Sequence, residues 1–510
     1  MTDYMLLLAP ELLLIVGAVL TMIAGLAGRA GWRVCAPWLA FAATAAALVT
    51  QWSAPAPAAA DLPGIRITSL TAYVRLITLS IGLLVLLVNM HLPESHERGE
   101  FFGLVLFSAA GVTLTATADD LIGLFLALEL VSVPTYVLVA AGSREARAQE
   151  AGMKYFFLGA LAAAVLVYGL SFIYGAAGTT RLSAMAGRLE MTDPYALVGL
   201  LLAVAGASYK LAAVPFHVYA ADVYEGAASP VAGVLGFFPK LAGFVALIRL
   251  MGLVTPMYAG PDETAWIPPD VLFWVLWALA AATMTVGNCL ALLQTNVKRV
   301  LAYSSIAHSG YMLVAVLVGP ALTGGLMRNG WSAMLFYVAA YGVMNLGAFG
   351  LLALIRAQDR PAEDIRDLAG LARQHPVVAL AIAICLFSLM GMPPTVGFLG
   401  KVFIFVGALS LGDDDPHRHA MIVLAVVGVL NAAVGAAYYL RIIGAVYLRE
   451  PREVPQLTAD RPLQVGVALC CGLLLLAGIW PRHLASLAND AAGDLRPAPG
   501  ISRSEASRSR

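Results

Sequence analysis

Ionisable side chains are scarce in the apolar stretches of this 510-residue sequence, and those that occur there carry its chemistry. Of its 31 basic residues only five are lysines, Lys154, Lys210, Lys240, Lys298 and Lys401, and four of the five fall within apolar segments. Arginine keeps its charge, whereas a lysine removed from water changes protonation state readily. Embedded cations that are almost all of the titratable kind point to proton handling. Glu129, in the run Leu128-Glu129-Leu130-Val131-Ser132-Val133-Pro134, is a mid-segment carboxylate, which costs about 2.5–3.5 kcal/mol in a bilayer. It therefore needs a partner, yet one glutamate cannot neutralise Lys210, Lys240 and Lys401 together. A static ion pair locking two helices is the alternative to a proton role for Glu129.

His308 lies among hydroxyls in Tyr303-Ser304-Ser305-Ile306-Ala307-His308-Ser309-Gly310-Tyr311. An imidazole with hydroxyls can hold a chain of waters and act as a relay; a hydrogen-bonded core histidine is the other reading. Lys154 sits only a few residues inside its apolar run, so it serves either proton transfer or snorkelling to the surface. Lys298 and Arg299 fall in a turn and are assigned to membrane topology.

Prolines set two of these lysines at interruptions. Pro215 follows Lys210 by five residues, removes a backbone donor and frees the carbonyl of Leu211, so this span is expected to break where polar groups enter. His217, just past the kink, either orients the broken segment or carries protons. The run 389–401 repeats the device, with Pro393, Pro394, three glycines and Lys401. Paired interrupted helices are the sequence mark of a transport site built on internal repeats.

Composition bounds the class. Hydrophobic residues make up 60% of the chain, charged residues 12%, and mean hydropathy is +0.82, which implies an integral membrane protein. The balance of 31 basic and 31 acidic residues offers no surplus for nucleic acid. The cysteines, at 35, 289, 385, 470 and 471, form no C-x-x-C pair and read as small apolar core residues. No glycine-rich dinucleotide or ATP cradle is present. His91, Glu94 and His96 read as a solvated loop with a proline rather than as a metal site. Glu11 needs only an interfacial or packing role. The first run is too long, and follows Asp3, so it reads as a retained helix rather than a secretory signal.

With about 20 residues per spanning helix, the sequence divides into fourteen expected spans: 4–27, 33–52, 70–91, 101–117, 120–141, 150–177, 194–220, 228–253, 269–292, 298–320, 331–356, 376–411, 419–447 and 463–481. The division between the fourth and fifth rests on Asp119 and Asp120, and the twelfth is overlong. The fold class is all-α and polytopic. Spans 4–8 and 9–13 are expected to form two inverted five-helix repeats whose seventh and twelfth helices are broken. The organisation is then 1–100 for the first three helices, 101–253 and 269–447 for the repeats, 463–483 for the last helix, and 484–510 as a disordered tail. The excess of Lys and Arg in odd-numbered connections places those in the cytoplasm and both termini outside. Arg356 to Arg373 is then the longest cytoplasmic connection, either a short interfacial helix or a solvated loop. Residues 54–59 read as an external Pro/Ala linker.

Three motifs together resemble the antiporter-like subunits of respiratory complex I: Ser208-Tyr209-Lys210 through Pro215-Phe216-His217 to Asp222-x-Tyr224-Glu225-Gly226-Ala227; Gln294-Thr295-Asn296-x-Lys298-Arg299-x-Leu301-Ala302 continuing into the Tyr303–Tyr311 run; and Gly391-x-Pro393-Pro394-x-x-Gly397-Phe398-x-x-Lys401. The resemblance covers all fourteen spans. It implies proton half-channels joined by a central polar axis, with Glu129, Lys210, Lys240, Lys401 and Lys154 matching the family's helix 5, 7, 8, 12 and 6 residues. It also implies a bacterial cell membrane location, other complex I membrane subunits as partners, and FMN, iron-sulfur clusters, NADH and quinone bound by those partners rather than by this chain. A sodium/proton antiporter of related ancestry and a structural membrane scaffold are the competing functions.

Overall fold

Asp120 decides where the fourth and fifth apolar runs part. Its carboxylate accepts from the backbone N–H groups of Ile122 (2.8 Å) and Gly123 (3.4 Å), an N-cap that starts a helix at Leu121. Asp119 faces away and accepts from the N–H (3.1 Å) and hydroxyl (2.5 Å) of Ser183. The same capping recurs: Asp193 receives Tyr195 N–H at 2.9 Å, Asn296 receives Arg299 N–H at 3.1 Å and Asn329 receives Ser332 N–H at 3.1 Å.

The helices so delimited, in a computed structural model, are α1 (Ala9–Leu26), α2 (Ala30–Ser53), α3 (Ser69–Asn89), α4 (Glu97–Thr117), α5 (Leu121–Ala141), α6 (Ala146–Ala177), α7 (Pro194–Lys210), α8 (Ala220–Gly226), α9 (Ser229–Leu235) and α10 (Phe238–Met251). They continue as α11 (Asp270–Leu292), α12 (Val297–Val318), α13 (Gly330–Leu354), α14 (Pro376–Met390), α15 (Val396–Leu409), α16 (Arg418–Leu448), α17 (Arg461–Ile479) and α18 (Arg482–Gly493). The structure describes residues 5, 7–27, 30–53, 60–90, 97–142, 145–185, 189, 193–254, 268–320, 328–357, 360–413, 415–450, 455–493 and 495. Residues 54–59 and His91, Glu94 and His96 lie outside them.

The protein is an all-α polytopic membrane protein. Among the described residues twelve helices are long and apolar enough to cross a membrane, the unit 229–251 counted as one. The seventh and twelfth expected spans are the interrupted ones: α7 stops at Lys210 and resumes as α8, and α14 stops at Met390 and resumes as α15. Interior helices are apolar on every side; all of 229–251 and almost all of α12 and α13 are buried, while α1, α2, α6 and α16 turn residues such as Leu20, Trp38, Phe157 and Leu430 outward. Glycines let helices approach closely. A Cβ at Gly169 of α6 would lie 2.6 Å from the Ala203 nitrogen of α7, a contact only glycine permits.

Several expectations are corrected. Glu11 is 1% exposed and forms a bidentate ion pair with Arg75 of α3, both contacts at 2.8 Å. Embedded cations are thus not almost all lysines, since Arg75 is buried against its carboxylate and the half-buried Arg249 donates to the carbonyls of Thr115 (3.0 Å) and Ala116 (2.9 Å) at the end of α4. Fixed charge is tolerated there because each donor fork meets acceptors. The connection after α13 is neither one interfacial helix nor a solvated loop: strand β1 (Ile355–Ala357) pairs antiparallel with β2 (Arg360–Pro361) and β3 (Pro455–Leu457), and a 3-10 turn at Ile365–Leu368 and a single α-helical turn at Leu371–Gln374 follow. Partial burial pushes the Asp367 carboxyl up, but hydrogen bonds from Arg360 prevail and hold it below the ordinary range. Disorder from Leu484 is overturned as far as Gly493, because α18 buries Ala485, Ala488, Ala491 and Ala492 against α3 and α13. Cys385, Cys470 and Cys471 are core residues as read, but Cys35 and Cys289 face outward from their helices.

Candidate functional site

Breaking α7 leaves backbone groups that must be satisfied inside the protein. The Leu211 carbonyl accepts the Ser309 hydroxyl at 2.7 Å, the Val214 N–H donates to the Thr283 hydroxyl at 3.0 Å, and the Tyr209 carbonyl accepts the Tyr219 hydroxyl at 2.8 Å. Ala212 takes a left-handed conformation, φ 53°. The break is therefore built from side chains of α11 and α12 as well as from Pro215.

Lys210, the last residue of α7, points at α5. Its Nζ lies 3.2 Å from Glu129 Oε1 and 3.4 Å from the Leu128 carbonyl, and it donates to the Ser132 hydroxyl. Beside it stack Tyr155, Tyr209 and Tyr219, with Tyr209 and Tyr219 centroids 4.3 Å apart. Between Lys210 and Lys240 lies a cavity of about 10 Å³, lined also by Tyr155, Tyr219, Tyr224 and Ser305, which is room for one water among polar partners.

Lys240 enters α10 just after Pro239 and is 2% exposed. Its Nζ donates to the Ser309 hydroxyl at 2.6 Å and to the Ser305 carbonyl, and stands 5.2 Å over the Tyr341 ring. No carboxylate faces it among the described contacts, so carbonyl, hydroxyl and ring face support the amine in place of a counter-ion.

One turn on, His308 holds two tyrosines, Tyr337 OH at 2.7 Å from Nδ1 and Tyr439 OH at 3.2 Å from Nε2; Tyr439 is also hydrogen-bonded to Ser304. The His308 ring packs edge-on to Tyr311 with centroids 5.7 Å apart, and Lys401 Nζ lies over that same Tyr311 ring, 5.0 Å from its centroid. Tyr311 OH in turn bonds Asn288 (3.1 Å), which meets Asn431 and Tyr438. Lys401 closes the second break. Its Nζ donates to the carbonyls of Leu389 (3.1 Å) and Met390 (2.9 Å), the last of α14, so a cation caps a helix C-terminus whose dipole favours it. Gly391, at φ 87°, makes the turn.

The structure thus brings Glu129 and Lys210 into contact, sets Lys240 of α10 against Ser305 and Ser309, which flank His308 on α12, and places both His308 and Lys401 against the Tyr311 ring. It does not bring Lys154 to this file. Lys154 is half-exposed and pairs with Glu150 (2.7 Å) and Asp222 (2.9 Å). His217 leaves its Nδ1 buried without a hydrogen-bond partner. Lys298, assigned by sequence to topology, is instead buried, with Glu363 at 2.5 Å and the carbonyls of Glu225 and Ala227 at 3.1 and 3.0 Å. Reading by charge alone missed the tyrosines and asparagines of the file; Tyr337 and Tyr341, one turn apart on one helix face, were the available signal. Among the described residues no three His, Cys, Asp or Glu side chains converge as a metal site.

Glu129, Lys210, Lys240, His308 and Lys401 lie within residues 118–430, which match the family described as NADH:quinone oxidoreductase/Mrp antiporter, transmembrane, while Tyr438 and Tyr439 fall just beyond that stretch. The chain is 37% identical over 453 residues to NADH-quinone oxidoreductase subunit N of Trichlorobacter lovleyi, covering 87% of each. It is 42% identical over 405 residues to NADH-quinone oxidoreductase subunit N 2 of Roseiflexus castenholzii, covering 78% of each. A chain of respiratory complex I from Thermus thermophilus superposes with TM-score 0.77 at 30% identity, covering 94% of this chain and 99% of that one. A chain of the Mrp complex from Dietzia shares the fold, TM-score 0.77 at 20% identity over 97% and 98%. With that match across more than half its length, the chain belongs to the NADH:quinone oxidoreductase/Mrp antiporter transmembrane family.

Proposed function

We propose that this chain is the proton-translocating subunit N of an NADH-quinone oxidoreductase, coupling electron transfer in partner subunits to proton movement through its own buried polar file. The observation that carries this is the file itself: Glu129 against Lys210, a one-water cavity, Lys240, the Ser305–Ser309 turn, His308 with its two tyrosines, and Lys401 over the Tyr311 ring that His308 also touches. Both helix breaks lie on it, where backbone carbonyls are held by Ser309 and Lys401.

In this reading a charge change in a neighbouring subunit acts on Glu129, which alters the proton affinity of Lys210. Lys210 exchanges with Lys240, and His308 passes the proton toward Lys401. NADH, FMN, iron-sulfur clusters and quinone are assigned to partner subunits; this chain performs no redox step. Both termini are assigned to the periplasmic side, and helices 4–8 and 9–13 to inverted units. Lys210→Ala tests the reading in assembled, reconstituted enzyme: the protons moved per NADH oxidised should fall, and an undiminished ratio overturns the role of Lys210. The sodium/proton antiporter alternative rests on the family description, which spans Mrp antiporters, and on the fold shared with the Mrp complex, and sodium-dependent proton exchange by the chain would favour it.

A further inference from the structure

α8, the second half of the broken seventh helix, is only seven residues long, and a helix of that length does not hold its place by itself. One face lines the cavity between Lys210 and Lys240 through Tyr219, Ala220, Val223 and Tyr224. Another face carries Asp222 and Glu225, and a ring of cations from two other helices surrounds them. Arg299 Nη1 reaches Asp222 at 2.8 Å and Glu225 at 2.6 Å; Lys154 reaches Asp222 at 2.9 Å; Arg147 pairs with Glu225. Lys298, with a side chain only 6% exposed, donates to the carbonyls of Glu225 and Ala227 and so caps the C-terminus of α8, while its charge is met by Glu363.

The placement of these two cations is against local preference. Lys298 and Arg299 occupy the first turn of α12, where the helix dipole disfavours positive charge. Simple helix stability would put acidic residues there. Seven residues along α12, about 10 Å at 1.5 Å per residue, Ser305 meets Tyr224 of α8 at 3.4 Å through its hydroxyl and accepts Lys240 through its carbonyl. α12 therefore grips α8 at two points, and the inner point is itself a partner of Lys240.

We infer that Lys298 and Arg299 are positioning residues for proton transfer: they clamp the acidic face and C-terminus of α8 to the start of α12, and the clamp sets how closely the tyrosine face of α8 closes the gap between Lys210 and Lys240. This rests on the proton-translocating reading above. Arg299 is the more informative half, because it acts on side chains whereas Lys298 also satisfies buried carbonyls.

The test uses the whole complex, isolated and reconstituted in proteoliposomes, with Arg299→Gln, Arg299→Lys and, as a reference, Lys210→Ala. Two quantities are read: amide hydrogen exchange in peptides spanning 215–227, and protons moved per NADH oxidised. With Arg299→Gln, exchange in that segment should rise several-fold and the proton ratio should fall at least twofold; Arg299→Lys, which keeps a cation in reach, should recover most of both. Asp222→Asn combined with Arg299→Gln should do little more than either alone. Faster exchange with an unchanged ratio, in a preparation where Lys210→Ala lowers the ratio, overturns the positioning role. So does an Arg299→Lys enzyme as impaired as Arg299→Gln. An unchanged ratio in both Arg299→Gln and Lys210→Ala overturns the functional reading and the clamp's role with it. If Arg299→Gln does not assemble, Asp222→Asn and Arg299→Lys are compared on the same two readouts, and unchanged exchange in Asp222→Asn overturns the clamp.

Discussion

Glu129 and Lys210 form an asymmetric pair: the carboxylate oxygen stands 3.2 Å from the ammonium, yet the lysine side chain is 7% exposed and the glutamate 23%. The lysine belongs to the interior, where the Ser132 hydroxyl and Leu128 carbonyl also hold it, and the glutamate reaches the flank of the bundle. The pair therefore connects an internal cation to a surface at which a neighbouring charge can act.

That asymmetry separates the two side chains experimentally. Glu129→Gln leaves Lys210 its neutral acceptors, so the chain should assemble normally. Loss of a charge interaction of about 1.4 kcal/mol corresponds to roughly tenfold in rate, and proton pumping driven by NADH should fall by about that factor. Glu129→Asp should lie between. Pumping at the unsubstituted rate in Glu129→Gln would mean the pair is only a structural lock.

His308 is suspended between Tyr337 and Tyr439. Tyr337→Phe removes the shorter of those hydrogen bonds at a stability cost of about 0.5–1.5 kcal/mol, small enough for assembly. The proton ratio should nonetheless drop, by an order of magnitude or more in rate if the imidazole is a relay. Equal stability loss with full pumping would place His308 among ordinary core histidines.

Gly400 tests the same relay from behind. A Cβ there would lie 2.1 Å from Tyr337 Cδ2, whereas at Gly444 it would meet nothing within 4 Å. Gly400→Ala should displace Tyr337 from His308, cost about 1–3 kcal/mol by overpacking and lower pumping. Gly444→Ala should be silent in thermal stability and in pumping. Equal behaviour of the two variants would show that the Tyr337 approach is slack.

The buried Glu11–Arg75 pair belongs to the fold. Removing one partner leaves an uncompensated charge, so Glu11→Gln should destabilise the packing of α1 on α3 by about 3–5 kcal/mol. The double variant Glu11→Leu, Arg75→Met should recover most of that loss, measured as thermal retention of the chain in the complex. A double variant no better than the single one would show that the charges do more than satisfy each other.

Apolar run length and proline placement made most of the architecture legible, because a bilayer leaves few alternatives to a helix. The weakest division, at Asp119 and Asp120, held because Asp120 is an N-cap. Charge located Glu129, Lys210, Lys240, His308 and Lys401, since a buried ionisable group is costly wherever it stands. Tyrosine and asparagine carry no such cost signal, so Tyr439 and Asn288 were invisible, and Tyr337 showed only through its one-turn spacing from Tyr341. Lys298 and Glu11 were misread because they lie near run ends, where sequence alone cannot distinguish solvent from a partner brought in by another helix. α18 was hidden for another reason: Ala485, Ala488, Ala491 and Ala492 recur at helical spacing and mark an amphipathic face, but the segment runs into the Pro-, Ser- and Arg-rich residues that follow and takes on their composition.

Ser309 has a single hydrogen to give. Its oxygen accepts from Lys240 at 2.6 Å while the hydroxyl donates to the freed carbonyl of Leu211 at 2.7 Å. An ammonium can only donate, so as long as Lys240 is charged the hydroxyl gives its hydrogen to a carbonyl, the nearer being Leu211 at the break in helix seven and the farther Ser305 at 3.2 Å. A neutral amine offers a lone pair, and the same hydrogen can then turn toward Lys240 and desert Leu211. One rotating O–H would thereby report the charge of one helix to the unwound backbone of another, with no displacement larger than a bond rotation.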